Sequence, residues 1–401
     1  MFGPILRAMS RNKTGAVLVA FQIAIALAVT VNAVFIMQQR IAFMQRDSGL
    51  AIDNIIAVGS FGFASDYDHH ATVNADLDLL RSLPGVRSAT PSDSVPLSGS
   101  GSANGFESEP GDLGNEATAN YYGIDEQGVE TLGITLREGR GFRAEEIYRV
   151  ALGEQHSSTQ AIVTARFASQ LFPDETSYLG KVFYDGADSP MEIIGVIEKM
   201  QGAWLGWDEV ENVVLMPFIR GGPMVRYMLN VEEDQLETLI PMVEETLASS
   251  SSTRLINQVM SLREISDKSY SGDRGMAVAL MVVIALLVTV TALGIVGLAS
   301  FNVRQRTKQI GTRRAVGAKR SDILRYFLAE NWLMTTAGVI LGIVLTLLLN
   351  YYLASEYSLD LIDPVYLPVG VLTMWALGLL AVLGPARRAS VISPAVATRT
   401  V

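Results

Sequence analysis

The sequence predicts a membrane protein: α-helical, with four transmembrane helices and an α+β domain outside the bilayer, carried on helical stalks. Three observations predict it. Residues 16–37, 276–301, 332–354 and 366–383 form apolar runs of 22, 26, 23 and 18 residues without one Asp, Glu, Lys or Arg. Charge segregates between the connecting segments, and the 238 residues from 38 to 275 carry short strand- and helix-like patterns. Crossing about 30 Å of hydrocarbon takes roughly 20 apolar residues in a helix, and a charge at the centre costs about 3 kcal/mol or more. All four runs meet that requirement.

The composition agrees. Of 401 residues, 49% are hydrophobic and 18% charged, against about 25% charged in an ordinary soluble protein. The absence of cysteine excludes disulfide scaffolds, cysteine zinc sites, iron–sulfur clusters and thiol nucleophiles. Three histidines are too few to suggest a multi-histidine metal centre.

The N-terminal segment 1–15 holds Arg7, Arg11, Lys13 and no acid. The first run, 16–37, contains a cleavage-like Ala24-Ile25-Ala26, but a signal-peptide core is only about 7–15 residues long and ends before its cleavage site. An uncleaved first span is expected. The 302–331 loop has eight basic residues against Asp322 and Glu330, and the tail 384–401 adds Arg387, Arg388 and Arg399. These three segments total +12, whereas 38–275 totals −19 and 355–365 totals −3, so the net charge of −10 conceals two compartments. The positive-inside rule places both termini and the 302–331 loop in the cytoplasm, with 38–275 and 355–365 outside. An acidic outer domain gives no reason to expect nucleic acid as a partner; the lipid bilayer is the expected one.

Within 38–275, strands are expected at 54–58, 160–163 and 227–231, with a second strand from Val86, and a hairpin at 181–184 and 191–197 across Asp185-Gly186. Helices are expected at 75–83, ended by Pro84-Gly85, at 165–172, ended by Pro173, and at 233–247. The Gly-, Ser-, Asn-, Glu- and Pro-rich 96–120 reads as a flexible loop. The segment 255–273 reads as a helix running into the second span, and 38–46 as an outward extension of the first. Together they form two stalks suited to transmitting force.

No span offers a charged path for an ion or proton, which disfavours a channel or secondary transporter. Ala16, Ala20, Ala24 and Ala28 recur every fourth residue, and Gly338 and Gly342 make a GxxxG pair, giving smooth faces for close helix packing within one subunit or across a dimer. In the loop, a helix leaving the bilayer is expected to end near Gly317. Ser321 is expected to cap a second, amphipathic helix with an Ile323, Leu324, Phe327 and Leu328 stripe. Topology alone requires neither the two glycines nor the turn among these cations. A shaped basic element at a membrane surface suits a docking protein.

Arg306-Thr307-Lys308-Gln309-Ile310-Gly311-Thr312-Arg313-Arg314-Ala315-Val316-Gly317-Ala318, followed by Asp322-Ile323-Leu324 and Phe327-Leu328, resembles the R-T-x-E-I-G-x-R-R-A-x-G-A segment of MacB/FtsX/LolC-type ABC transporter permeases. The tail Pro385-Ala386-Arg387-Arg388-Ala389, with Pro394 and Ala395, is similar to that family's ending. Leu83-Pro84-Gly85-Val86, Tyr121-Tyr122-Gly123-Ile124, Leu132-Gly133-Ile134, Glu138-Gly139-Arg140, Leu171-Phe172-Pro173 and Leu179-Gly180-Lys181 resemble the periplasmic domain of the MacB branch. Gln309 departs from the family's Glu, and no G-x-x-x-x-G-K-[ST] occurs; Gly311 to Lys319 has the wrong spacing.

The resemblance implies a non-catalytic permease in a bacterial inner membrane. Its periplasmic domain would combine a porter-like βαβ part with an inserted, mostly β part. A dimer of separate ATPase subunits would dock on 302–331 through Arg306, Thr307, Gln309, Ile310, Gly311, Arg313, Arg314, Gly317 and Asp322, and would carry the ATP and Mg²⁺. No cofactor or metal is expected on this chain. A second permease, the same or paralogous, would complete the unit, and Gln309 favours a non-identical one. Efflux members work with a periplasmic adaptor and a TolC-like outer-membrane channel to export peptides, toxins or amphiphilic drugs. Lipoprotein release, as in the LolC branch, and FtsX-like control of a cell-wall hydrolase are the alternatives. An enzyme fits least. His69 and His70 beside Asp66 and Asp68 read as a solvated acidic loop, and Glu145-Glu146 as exposed charge with no nucleophile or oxyanion donor nearby.

Overall fold

The computed structural model describes residues 13–64, 67–111, 114–151, 154, 158–357 and 360–392. The chain divides into two compact units, Arg46–Ser271 and the segments that flank it. Helix α1 (Lys13–Met44) opens the chain and extends past the apolar run, as the 38–46 pattern predicts.

The Arg46–Ser271 unit follows in order. It begins with β1 (Ile55–Gly62), α2 (His69–Ser82) and β2 (Val86–Ser92), then β3 (Ser102–Glu107), β4 (Glu116–Gly123), α3 (Gly128–Thr131), β5 (Leu136–Gly139) and β6 (Tyr148–Val150). Next come β7 (Gln160–Thr164), α4 (Ala165–Leu171), β8 (Val182–Asp185), β9 (Pro190–Ile197), β10 (Val213–Met216) and β11 (Phe218–Arg220). It ends with β12 (Met224–Val231), α5 (Leu236–Ser250), β13 (Arg254–Ser261) and α6 (Leu262–Ser269). A four-stranded sheet has the order β13-β1-β12-β2, with all neighbours antiparallel. Since β12 lies between β1 and β2, the chain makes two interleaved βαβ units, β1-α2-β2 and β12-α5-β13. The segment between β2 and β12 is inserted and builds a seven-stranded sheet, β5-β9-β7-β10-β4-β3-β8, with β6 and β11 pairing in parallel as a separate ladder.

Each sheet has its own core. Ile56, Val58, Tyr227 and Leu229 of the four-stranded sheet pack against Val73, Leu77 and Leu80 of α2 and Leu239, Val243 and Leu247 of α5. In the inserted part, Phe106, Phe167 and Phe183 meet edge to face with centroids 5.5–5.6 Å apart. Each such buried side chain contributes about 1.5–3 kcal/mol. One buried polar cluster ties the first core together. The Arg254 side chain is fully buried and pairs with Asp76, whose Oδ2 also accepts the Tyr227 hydroxyl at 2.6 Å. Arg254 Nη2 also donates to the Leu247 carbonyl at 2.9 Å, so β13 is pinned to both helices.

Three expectations for this unit are corrected. The segment 96–120 is not a flexible loop: it contains β3 and most of β4, paired from Ser102↔Tyr121 to Glu107↔Glu116. Only Phe106 of β3 is fully buried, so a strand with one face in solvent carries a loop-like composition. The helix expected over 255–273 is a strand for its first half, because β13 completes the sheet beside β1; α6 follows, and the helical run breaks again at Tyr270. The second stalk is therefore discontinuous. Finally, α2 begins at His69 behind an Asp68 cap whose Oδ1 accepts the Ala71 N–H at 3.0 Å. His69 is thus buried on a helix rather than solvated on a loop. Asp66 lies outside the described residues, and among the described residues no cluster could hold a metal.

The flanking segments form the helical unit: α1 with α7 (Ser271–Gln305), α8 (Thr307–Ala315), α9 (Arg320–Tyr357) and α10 (Tyr366–Ser390). Helices α1, α7, α9 and α10 are each long and apolar enough to cross a membrane. Their core draws Ile23, Leu27 and Val31 from α1, Ile295 from α7, Phe327 and Val339 from α9, and Met374 and Val382 from α10.

Candidate coupling surface between the second and third spans

The basic loop folds into a short helix standing between two long ones. Helix α7 ends at Gln305, Arg306 leaves helical geometry at φ −102°, ψ 11°, and α8 starts at Thr307. Thr307 supplies a reason for the bend. Its hydroxyl donates back to the carbonyls of Val303 and Arg304, each at 3.0 Å, a pattern that bends helices. The expected single helix to Gly317 is therefore broken once.

The end of α8 is fixed by backbone chemistry. Gly317 takes φ +101°, where a Cβ is penalised. Its N–H donates to the Arg314 carbonyl at 3.2 Å and the Ala318 N–H to the Arg313 carbonyl at 3.0 Å. These two bonds make a Schellman motif. Arg314 Nη1 also donates to the Ala318 carbonyl at 3.3 Å. The next cap differs from expectation: α9 starts at Arg320, so Ser321 is already inside it. Lys319 occupies the cap, and Asp322, three residues on, accepts the Lys319 N–H at 3.0 Å. A carboxylate also complements the positive end of the helix dipole.

Three side-chain contacts hold α8 and the Arg306 bend before it against α9. Arg306 Nη1 donates to Glu330 Oε2 at 2.9 Å and to the Tyr326 hydroxyl at 3.3 Å, with Glu330 nearly buried. The Arg313 guanidinium lies over the Tyr326 ring, 5.0 Å from its centroid. Beneath them Ile310, Ile323 and Phe327 are buried, while Leu324 and Leu328 pack partly buried beside the same core. Gly311 is buried within α8, and Gln309 is exposed beside a shallow groove whose walls include Arg306 and Arg313. The sequence-predicted residues are thereby divided. Ile310 and Gly311 face inward; Arg306, Thr307, Arg314, Gly317 and Asp322 fix the shape. Gln309 and Arg313 remain exposed, as do two residues outside the predicted set, Lys308 and Val316, the latter at 84%.

Glu330 and Tyr326 are the positions that sequence reading missed. They lie four residues apart, which places them on one face of a helix, and Glu330 is one of only two acids in the basic 302–331 loop. That was the available signal.

The small residues of the spans are brought together within the chain. A Cβ on Gly338 would lie 2.6 Å from the Ala20 carbonyl, and one on Gly342 3.1 Å from the Ala24 Cα. Ala24 and Ala28 are buried, and Ala16 and Ala20 half-buried. Beside this seam Asn32 Nδ2 donates to the Ala28 carbonyl at 2.8 Å and the Thr346 carbonyl at 3.2 Å, a polar tie between α1 and α9. In the tail, Pro385 to Ala389 continue α10, and Pro394 and Ala395 lie outside the described residues.

Residues 16–255 match the model of the MacB-like periplasmic core domain, and residues 281–394 that of the FtsX-like permease C-terminal domain. The macrolide export ATP-binding/permease protein MacB of Acinetobacter baylyi is 27% identical over 369 residues, covering 87% of this chain and 51% of that protein. MacB of Shigella boydii is 26% identical over 407 residues, covering 97% of this chain and 58% of the relative. The chain thus spans about half the length of the curated relatives it matches. Among solved structures, the periplasmic region of MacB from Actinobacillus actinomycetemcomitans aligns at 16% identity and TM-score 0.34 over 57% of this chain and 97% of that one. The extracellular domain of the ABC-type transporter YknZ aligns at 18% and 0.33, over 51% and 99%. Matched by the periplasmic core domain over more than half its length and by the permease domain over the second, third and fourth spans, the chain belongs to the MacB-like and FtsX-like family of ABC transporter permeases.

Proposed function

We propose that this chain is a permease subunit of a bacterial inner membrane, with both termini cytoplasmic and the Arg46–Ser271 unit in the periplasm. A separate dimeric ATPase, which carries the ATP and Mg²⁺, docks on α8 and the Gly317 turn, and its closure moves the periplasmic unit. A second permease completes the assembly. The transported class is peptides, toxins or amphiphilic compounds, passed to an adaptor and a TolC-like outer-membrane channel. One observation carries this reading. A basic helix with Lys308, Arg313 and Val316 exposed is shaped by its own caps and fastened to the third span through Arg306 and Glu330. Such an element presents a partner with charge and an apolar tip, and load applied to it passes into both adjoining helices. Uncharged spans accord with a substrate that never crosses this membrane.

The test uses the chain purified from native membranes together with whatever ATPase accompanies it. Gly311→Pro removes an amide donor in the middle of α8 and breaks the helix, at about 3 kcal/mol locally. Stimulation of the partner ATPase by the permease is expected to be lost while membrane insertion is retained. Unchanged stimulation would refute the role of α8. The purified chain alone is expected to turn over no ATP, and turnover would refute the reading as a whole.

A further inference from the structure

Where the four-stranded sheet meets the inserted part, an open cleft of about 240 Å³ lies between the end of β2, Gly123 and the segment from β11 into β12. That is the space of about eight water molecules at liquid density, enough for one residue-sized group. Its charged groups are arranged unevenly. Asp93 is held in place, its Oδ1 accepting the Gly123 N–H at 3.0 Å and its carbonyl accepting Arg226 Nη1 at 2.6 Å. Arg220 sits at the exposed mouth with its guanidinium 5.1 Å from the Phe218 ring centroid. Among the described residues, no hydrogen-bond acceptor occupies its N–H fork. Ser92 also borders the cleft; its hydroxyl is buried and has no hydrogen-bond partner among the described residues.

Two guanidiniums, Arg220 and Arg226, face one carboxyl, Asp93, which burial pushes above the usual carboxylate range, so the cleft carries at least one net positive charge. The neighbouring His69 does not add to it at neutral pH, because burial holds that imidazole below its usual range. A cation is therefore disfavoured. A single carboxylate matches the planar fork of an arginine, and the lining beside it suits an organic body better than a fully hydrated inorganic anion. The remaining lining is apolar, including Pro91, Pro223 and Met224.

We propose that this cleft binds a small monocarboxylate with an apolar body about one residue in size, its carboxylate on Arg220 and its body against Pro91 and Pro223. The C-terminus of a peptide and a short acyl chain share this chemistry. Binding is read on this chain alone, so the proposal stands or falls separately from the ATPase coupling.

The experiment titrates N-acetylphenylalaninate and hexanoate into the full chain in nanodiscs, following ligand line broadening by NMR. Binding at millimolar concentration is expected, with N-acetylphenylalaninamide, which lacks only the charge, weaker by about tenfold or more. Arg220→Gln, an exposed change that leaves the core intact, is expected to weaken the acid by a similar factor and the amide hardly at all. Tighter binding of N-acetylphenylalaninate than of hexanoate would assign a peptide source, and the reverse an acyl one. The proposal is overturned if neither acid binds, if acid and amide bind equally, or if Arg220→Gln binds the acid as wild type does.

Discussion

The Arg46–Ser271 unit turns its apolar side chains inward around two cores, whereas the helical unit leaves much of its apolar surface outward, and the two are held by different physics. In the first, burial from water drives folding, and large side chains such as Tyr122, Tyr227, Phe106 and Phe167 are fully enclosed. In the second, lipid is as apolar as the side chains, so association depends on close approach and interhelical polar ties. Even within that unit the spans differ. Of the most apolar window, 56% is buried in α1 but only 11% in α7. Hydropathy identifies both helices as spans; it does not say which of them the rest of the chain will cover.

The comparison can be broken most severely at the buried ion pair. Asp76→Ala leaves Arg254 charged, fully buried and without its carboxylate, and should destabilise the Arg46–Ser271 unit by about 3–5 kcal/mol. Thermal unfolding of the detergent-solubilised chain checks this, with the helical content of the spans persisting after the β signal is lost.

A second prediction concerns pH. Burial pushes the Asp125 carboxyl up to about 6 from 3.8, outweighing the Arg81 guanidinium 2.6 Å away. A carboxyl whose folded pKa is raised binds its proton more tightly in the native state, so stability falls as pH rises between those two values and stays lower above them. Wild type should therefore lose up to about 3 kcal/mol relative to Asp125→Asn between about pH 4 and pH 7. Melting curves of both proteins at the two pH values measure it, and a difference independent of pH would show that Arg81 compensates fully.

A smaller effect is expected in the spans. Gly342→Leu forces a Cβ to within 3.1 Å of the α1 backbone at Ala24, and overpacking of this kind costs about 1–3 kcal/mol. Disulfide trapping between cysteines introduced into α1 and α9 should slow in that variant. The least effect belongs to the outward face of α7. Leu286 is 59% exposed, and Leu286→Ala should change the stability of the isolated chain by less than about 0.5 kcal/mol. A larger loss would mean that α7 is covered in the folded chain after all.

Much of the fold was legible in the sequence because its signals are local. The four spans follow from uninterrupted apolar runs, the stop of α8 from one glycine, and the hairpin β8–β9 from its turn. The misreadings share a cause. Strand β13 looks helical until β1 lies beside it. Strand β3 looks like a loop because only Phe106 reaches a core. Ser321 looks like the cap until Asp322 accepts the Lys319 N–H. In each case a partner distant in sequence, or a choice among adjacent candidates, decided the outcome.

By itself the sequence determined where the chain can cross a membrane, how its charge divides among the segments that join the spans, and that a basic, glycine-punctuated element joins the second and third spans. Those properties depend on composition and short-range order along the chain. Only the tertiary structure decided that Arg306 pairs with Glu330, that Ala24 meets Gly342, that Asp76 and Arg254 pair in a buried interior, and that Asp93, Arg220 and Arg226 converge on one cleft. Such contacts bring together residues 24 to 318 positions apart, and no local pattern encodes which distant side chain will arrive to complete a charge or fill a groove.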